Sequence, residues 1–194
     1  MAFRSLAPAL LLAAPRLRDP NFERTVVLLG RHEEEGALGW VLNGAGLHPV
    51  GELLRAAELV RPGEILPDTQ AFRRLARIGG PVHPESGWLL YRTSAATFPG
   101  EVEIGRLAVC NRPEALRAVI RGEPPHDFRL FLGYAGWGPG QLEAEMKEGV
   151  WFPGPFDPDL VFESEDDDSL WEEAFERATG LPPSHFTQTE WGRA

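Results

Sequence analysis

Apolar residues in this chain come in short runs between turn-forming polar clusters, and the runs follow two periodicities. Leu10 to Ala14 is continuously apolar and reads as a buried strand. A turn segment, RLRDPNFER, separates it from a second strand at Thr25 to Leu29. HEEEGALGWVLN then gives an acidic, glycine-closed turn and a third strand from Leu38 to Leu42, so these two runs predict a hairpin.

The spacing changes to three and four residues in PVGELLRAAELV. Val50, Leu53, Leu54, Ala57 and Val60 share a face and Pro49 suits a first turn, which predicts a helix over 49–60 ended by Pro62-Gly63. ARIGG and WLLYR read as strands flanking the turn GGPVHPESG. VEIGRLAV reads as another strand, and PEALRAVIRG as a helix with Pro113 near its start and Gly122 after its end. FRLFLGYAGW is strongly apolar and is expected to be a central strand. A short helix QLEAEMKE, a strand VWF and a further strand around Asp159 to Phe162 follow. The closing helix lies in ESEDDDSLWEEAFERATG, with Leu170, Trp171, Ala174, Phe175 and Ala178 as its apolar stripe and acids at its start.

Strands outnumber helices and mix with them irregularly, so an α+β domain with a mixed sheet fits better than a βαβ repeat. The domain is expected over residues 1–180, with 181–194 as a tail. In that tail Phe186 and Trp191 are aromatic anchors, either for the body or for a partner.

Composition narrows the function. Acidic residues outnumber basic ones 29 to 19, a formal net charge of −10, so the phosphate backbone of nucleic acid would repel the chain and direct binding is disfavoured. Arg73, Arg74 and Arg77 in FRRLAR form the densest basic group, and a solvated helix face accounts for them. Cys110 is the only cysteine, which rules out an intramolecular disulfide and fits a small buried hydrophobe. As a reactive thiol it would need a nearby cation, such as Arg106 or Arg112. LAPALLLAAP mimics a short signal peptide yet runs straight into patterned sequence and is too short to span a bilayer. A buried strand is the better reading, and with it a cytoplasmic location without membrane contact.

The stretch GYAGWGPGQLEAEM, residues 133–146, poses the main chemical question. Strand, glycine-rich loop and helix is the order of an anion cradle. The Gly-Lys-Ser/Thr ending of a phosphate loop is missing, the G-x-G-x-x-G spacing fails at Glu143, Pro139 removes an amide, and Glu143 and Glu145 repel an anion. A turn that delivers a strand into a helix is the preferred reading. Gln141, Glu145 and Glu148 share a helical face and could offer oxygens to Mg²⁺, but a solvated face is the simpler account, and no metal or cofactor motif occurs. The five histidines are dispersed. His32, beside Glu33 to Glu35, is the most interesting, its bland alternative being an exposed turn histidine. Asp19-Pro20 and Gly79-Gly80-Pro81 leave backbone amides available to a ligand or serve tight chain crossings.

Taken in order, LLLAAPRLRDPNFERTVVLLGRHEEEGALGWVLN, IGGPV and FLGYAGWGPGQLEAEMKEGVWF resemble the AlgH/YqgE family of bacterial proteins over most of the chain. The resemblance implies a single compact α+β domain, its mixed sheet branched and partly barrel-like, with helices around it. The family carries no established activity to transfer, and its name came with a proposed role in gene regulation. The matched positions are Asp19, Pro20, Phe22, His32, Gly39, Asn43, Gly79, Gly80, Pro81, Gly133, Tyr134, Trp137, Gln141 and Glu143. The family commonly continues the asparagine with Lys-Pro, whereas Asn43 precedes Gly44-Ala45 here.

The resulting expectation is a non-catalytic binding or regulatory protein that acts through a protein partner or small ligand and affects gene expression indirectly. Its binding residues would be Asp19, His32, Asn43, Gly79, Gly80, Tyr134 and Trp137, with no metal and no cofactor. The alternative is a hydrolase or phosphotransfer enzyme assembled from His32, Asp19 and Glu143. The pattern specifies no oligomeric state.

Overall fold

The computed structural model describes residues 4–163 and 167–187. Its strands in chain order are β1 (Ala9–Ala13), β2 (Val26–Glu33), β3 (Gly36–Val41), β4 (Gly46–Pro49), β5 (Leu75–Ile78), β6 (Val82–Arg92), β7 (Val102–Ile104), β8 (Leu107–Cys110), β9 (Arg129–Trp137) and β10 (Trp151–Gly154). The helices are α1 (Val50–Ala56), α2 (Gln70–Arg73), α3 (Pro113–Ile120), α4 (Gln141–Lys147), α5 (Pro158–Glu163), α6 (Asp167–Thr179) and α7 (Ser184–Thr187). They gather into two compact units. One holds the described residues up to Asn43 and from Gly136 onward, the other Gly44 to Ala135.

In the first unit the strand order is β10-β1-β2-β3, all antiparallel, with the Trp137 end of β9 beside β3. Strand β1 is paired on both edges and buried throughout, which explains why ALLLA contains no polar residue. This is a core strand, as its pattern predicts. Burying each of Leu10, Leu11 and Leu12 contributes about 1.5–3 kcal/mol. Helix α6 packs on β1, β2 and β10 through Leu170, Trp171, Ala174 and Phe175, all buried. The Trp171 indole N–H donates to the Ala13 carbonyl at 2.9 Å. In α7, Phe186 stacks against Phe152 and Phe175, so this part of the expected tail folds onto the unit. Trp191 lies outside the described residues.

In the second unit the order is β7-β8-β6-β9-β5-β4, antiparallel except for the parallel β5–β9 pair. The sheet is therefore mixed. Strand β9 lies between β5 and β6 in this sheet, and β7 and β4 stand at its ends. The core of this unit gathers Val50, Leu54, Phe72, Leu89, Tyr91 and Phe128 with the buried face of α3.

Several elements depart from the pattern-based reading, each for a local reason. VEIGRLAV is two strands, since Gly105 at φ 61° lets a two-residue turn fold Ile104 back onto Leu107. The run from Asp159 to Phe162 is helical because Asp157 accepts the amides of Asp159 and Leu160 at 3.0 and 3.2 Å, and Pro158 suits the first position. Helix α1 stops at Ala56 in a Schellman turn, with Glu58 N–H on the Arg55 carbonyl and Leu59 N–H on the Leu54 carbonyl. Strand β6 begins at Val82, inside the segment GGPVHPESG read as a turn, because Val82 already pairs with Tyr134 of β9. No helix among the described residues is long and apolar enough to cross a membrane.

Candidate functional site

Within the first unit, a register shift after Leu29 turns β2 so that Arg31 and Glu33 face solvent and His32 faces inward. The His32 side chain is 2% exposed, which replaces the exposed-turn reading by a buried one. Its Nδ1 accepts the Leu6 amide at 3.0 Å, so Nδ1 carries no proton and Nε2–H is left to donate to Glu143 Oε1 at 3.2 Å. The imidazole thus ties the N-terminal segment, the hairpin and α4 together.

His32 and Glu143 are brought together, and Asp19 is not. Its Oδ1 accepts the amide of Asn21 at 2.8 Å and its carbonyl accepts those of Phe22 and Glu23, a self-contained turn. Among the described residues no hydrogen bond joins Asp19 to His32 or Glu143. The histidine is held in one tautomer by the Leu6 backbone amide.

Asn43 behaves as a piece of backbone. Its Oδ1 accepts the Val26 amide at 2.8 Å and its Nδ2 donates to the Arg24 carbonyl at 2.9 Å, just where β3 leaves β2. Trp137 is likewise committed. Its indole N–H and that of Trp151 both donate to Glu145 Oε2, at 2.9 and 2.8 Å, while Gln141 Nε2 donates to Oε1 at 2.9 Å. Gln141 Oε1 in turn accepts the Gly138 amide at 3.0 Å. The glycine loop therefore spends its amide on its own helix, and Gly140 takes the left-handed conformation, φ 72°, that starts α4. Among the described residues no three His, Cys, Asp or Glu side chains converge as metal ligands.

In the second unit Gly79, Gly80 and Tyr134 meet where the chain crosses β9 from β5 to β6. A Cβ on Gly79 would lie 2.5 Å from the Gly133 carbonyl oxygen, and one on Gly80 2.2 Å from the Tyr134 carbonyl carbon. Close passage of two backbones explains this glycine pair. Tyr134 packs edge-on against Trp88 at 5.8 Å and beside His83 at 6.1 Å.

The same unit contains a cavity of about 340 Å³ that no sequence motif marks. Its apolar wall is formed by Leu53 and Leu54 of α1, Leu89 of β6, Leu130 of β9, Leu116 of α3 and the Cys110 thiol. Glu85, Asn111 and Arg112 are its polar lining residues. Burial pushes the Cys110 thiol above its usual range, against the pull of the Arg112 amide and guanidinium. This cysteine is a wall atom in its protonated form, and the proximity of Arg112 does not activate it. The cavity was invisible in the sequence because its walls come from four separated segments. Their convergence is set by β9 lying between β5 and β6.

An AlgH-like family model matches residues 10–183. A UPF0301 protein of Anaeromyxobacter sp. (strain K) is 41% identical over 183 residues, 93% of this chain and 91% of the relative. The chain belongs to the AlgH-like family. A UPF0301 protein of Methylococcus capsulatus is 39% identical over 158 residues, 81% of each chain. The solution structure of the AlgH protein from Pseudomonas aeruginosa matches all of both chains with a TM-score of 0.72 and 32% identity. A Corynebacterium diphtheriae crystal structure, 23% identical over 97% of this chain and 95% of its own, also has a TM-score of 0.72 and shares the fold. The AlgH-like resemblance seen in the sequence is thus family membership, and the α+β fold is that of the AlgH structure.

Proposed function

We propose that this AlgH-like protein is a non-catalytic small-ligand-binding protein whose site is the cavity of the second unit. The observation that carries this reading is the cavity itself. At about 340 Å³ it falls within the size range of small-molecule sites, and it combines an apolar wall with a few polar groups. The first unit supports the same reading by contrast. His32, Asn43 and Glu145 each satisfy neighbouring backbone or side-chain groups, which is the behaviour of a scaffold. Any regulatory effect then follows from ligand occupancy and not from contact with nucleic acid.

Gly87 supplies the test. It lines the cavity, and a Cβ there would meet only the end of Leu130 at 3.7 Å, so a larger side chain enters the empty space without a backbone clash. Titration of the isotope-labelled protein with decanol should shift the methyl signals of Leu53, Leu89, Leu116 and Leu130. Gly87→Leu should abolish those shifts while the amide spectrum stays folded. Shifts scattered over the surface, or unchanged in Gly87→Leu, would remove the cavity as the site.

A further inference from the structure

We infer that the ligand is a singly charged amphiphile, an alkyl carboxylate whose head group sits on Arg112 and Asn111 and whose chain enters the apolar cavity. This rests on the small-ligand reading above and adds the chemistry of the ligand to it. Of the cavity's lining residues Arg112 alone is cationic. Its side chain has no carboxylate or carbonyl partner among the described residues. Several other arginines of the same unit are engaged: Arg74 with Asp127, Arg73 with Asp68, Arg117 with the Leu59 carbonyl and Arg121 with Glu123. In a chain of net charge −10, an arginine left to a cavity mouth is placed for an incoming anion.

The guanidinium is also held in place. A Cβ on Gly100 would come within 2.9 Å of Arg112 Nε and 3.0 Å of its terminal nitrogen, so the group lies against bare backbone. The residue's own amide donates to Cys110 Sγ at 3.5 Å, which fixes the start of the side chain at the cavity wall. Asn111 adds an amide donor on the same segment. Arginine presents a planar fork that matches the two oxygens of a carboxylate.

Glu85 limits the charge of the head group. It lines the same cavity, and its own backbone amide and a hydrogen bond to His83 Nδ1 at 3.1 Å keep it ionised. A second negative charge on the ligand would meet that carboxylate, which disfavours a phosphate dianion. The apolar wall of leucines takes the alkyl chain.

Calorimetric and methyl-NMR titrations with decanoate, decanol and decyl phosphate decide the matter. Decanoate is expected to bind at least tenfold more tightly than either of the others. Arg112→Gln should weaken decanoate about tenfold and leave decanol unchanged, and Arg112→Lys should fall between. Equal affinity for decanoate and decanol, tighter binding of decyl phosphate, or unchanged decanoate affinity in Arg112→Gln would overturn the carboxylate assignment and leave the small-ligand site standing. Failure of all three probes to perturb the cavity methyls would overturn both. Melting of each variant checks that Arg112→Gln remains folded.

Discussion

His32 donates to Glu143 from 111 positions away, across a half-buried contact of 3.2 Å, while the Leu6 amide on the other ring nitrogen leaves the imidazole with a single permitted tautomer. A histidine beside a carboxylate is the beginning of many catalytic sites. Here the other ring nitrogen is occupied by a backbone amide, so the pair acts as a rivet. Replacing His32 by Ala strands the Leu6 amide and removes packing, and should cost about 2–4 kcal/mol. Glu143→Gln keeps an acceptor and should cost under about 1 kcal/mol. Urea midpoints of the two variants make the comparison. Similar losses for both would mean that the pair's charge, not the histidine's position, carries the stability.

Asn43 makes a stronger claim about architecture than about binding. Asn43→Ala leaves the Val26 amide and the Arg24 carbonyl without their partner, and should destabilise by about 1–3 kcal/mol in equilibrium unfolding. Asn43→Asp preserves the acceptor for Val26 but sets an oxygen against the Arg24 carbonyl, so it should recover less than half of the loss. A variant of unchanged stability would show that water replaces the side chain there.

Gly80 tolerates nothing larger. Its φ of 151° and the 2.2 Å approach to Tyr134 predict that Gly80→Ala loses at least about 3 kcal/mol or fails to fold. Circular dichroism and thermal melting read this directly.

Glu58 offers the opposite sign. It occupies the left-handed position of the α1 Schellman turn at φ 57°, where a side chain is strained. Glu58→Gly should raise stability by about 0.5–1 kcal/mol, seen as a higher melting temperature.

Cys110 carries the pH dependence. Burial raises its pKa in the folded chain, so the native state prefers the protonated thiol and the unfolded state gives up its proton more readily. The stability associated with this group is fully present below the unfolded value of about 8.5 and is lost as pH rises through and beyond it. Tyr91, raised by burial and by its hydrogen bond to Glu101, acts in the same direction at higher pH. Iodoacetamide at pH 8 should alkylate native Cys110 much more slowly than the urea-unfolded chain. Equal rates would show that the wall of the cavity is open to solvent.

Local pattern carried most of the elements. Continuous apolar runs gave β1 and β9, the acidic turn gave the β2–β3 hairpin, and i, i+3, i+4 spacing gave α3 and α6. The misassignments arose where one backbone position outweighed the apolar pattern, at Gly105 and at Asp157-Pro158. The candidate site was less legible. The polar residues of the resemblance could be found by their types, but not their partners, and it is the partners that make Asn43 and Glu145 structural. Leu53, Leu89, Leu116 and Leu130 were visible only as ordinary core residues. Nothing in their spacing tells a filled core from one with a hollow in it.

The pairing of β1 fixes an order of events at the ribosome. Leu10 has Leu28 on one side within the first thirty residues, but Gly154 on the other, so ALLLA emerges with one edge and part of its surface uncovered. That edge stays available until Trp151 to Gly154 leave the exit tunnel, long after β1 itself has emerged. Strand β1 is sealed only when its later partner arrives, and translation pauses before β10 should lengthen the interval in which nascent chains need a chaperone.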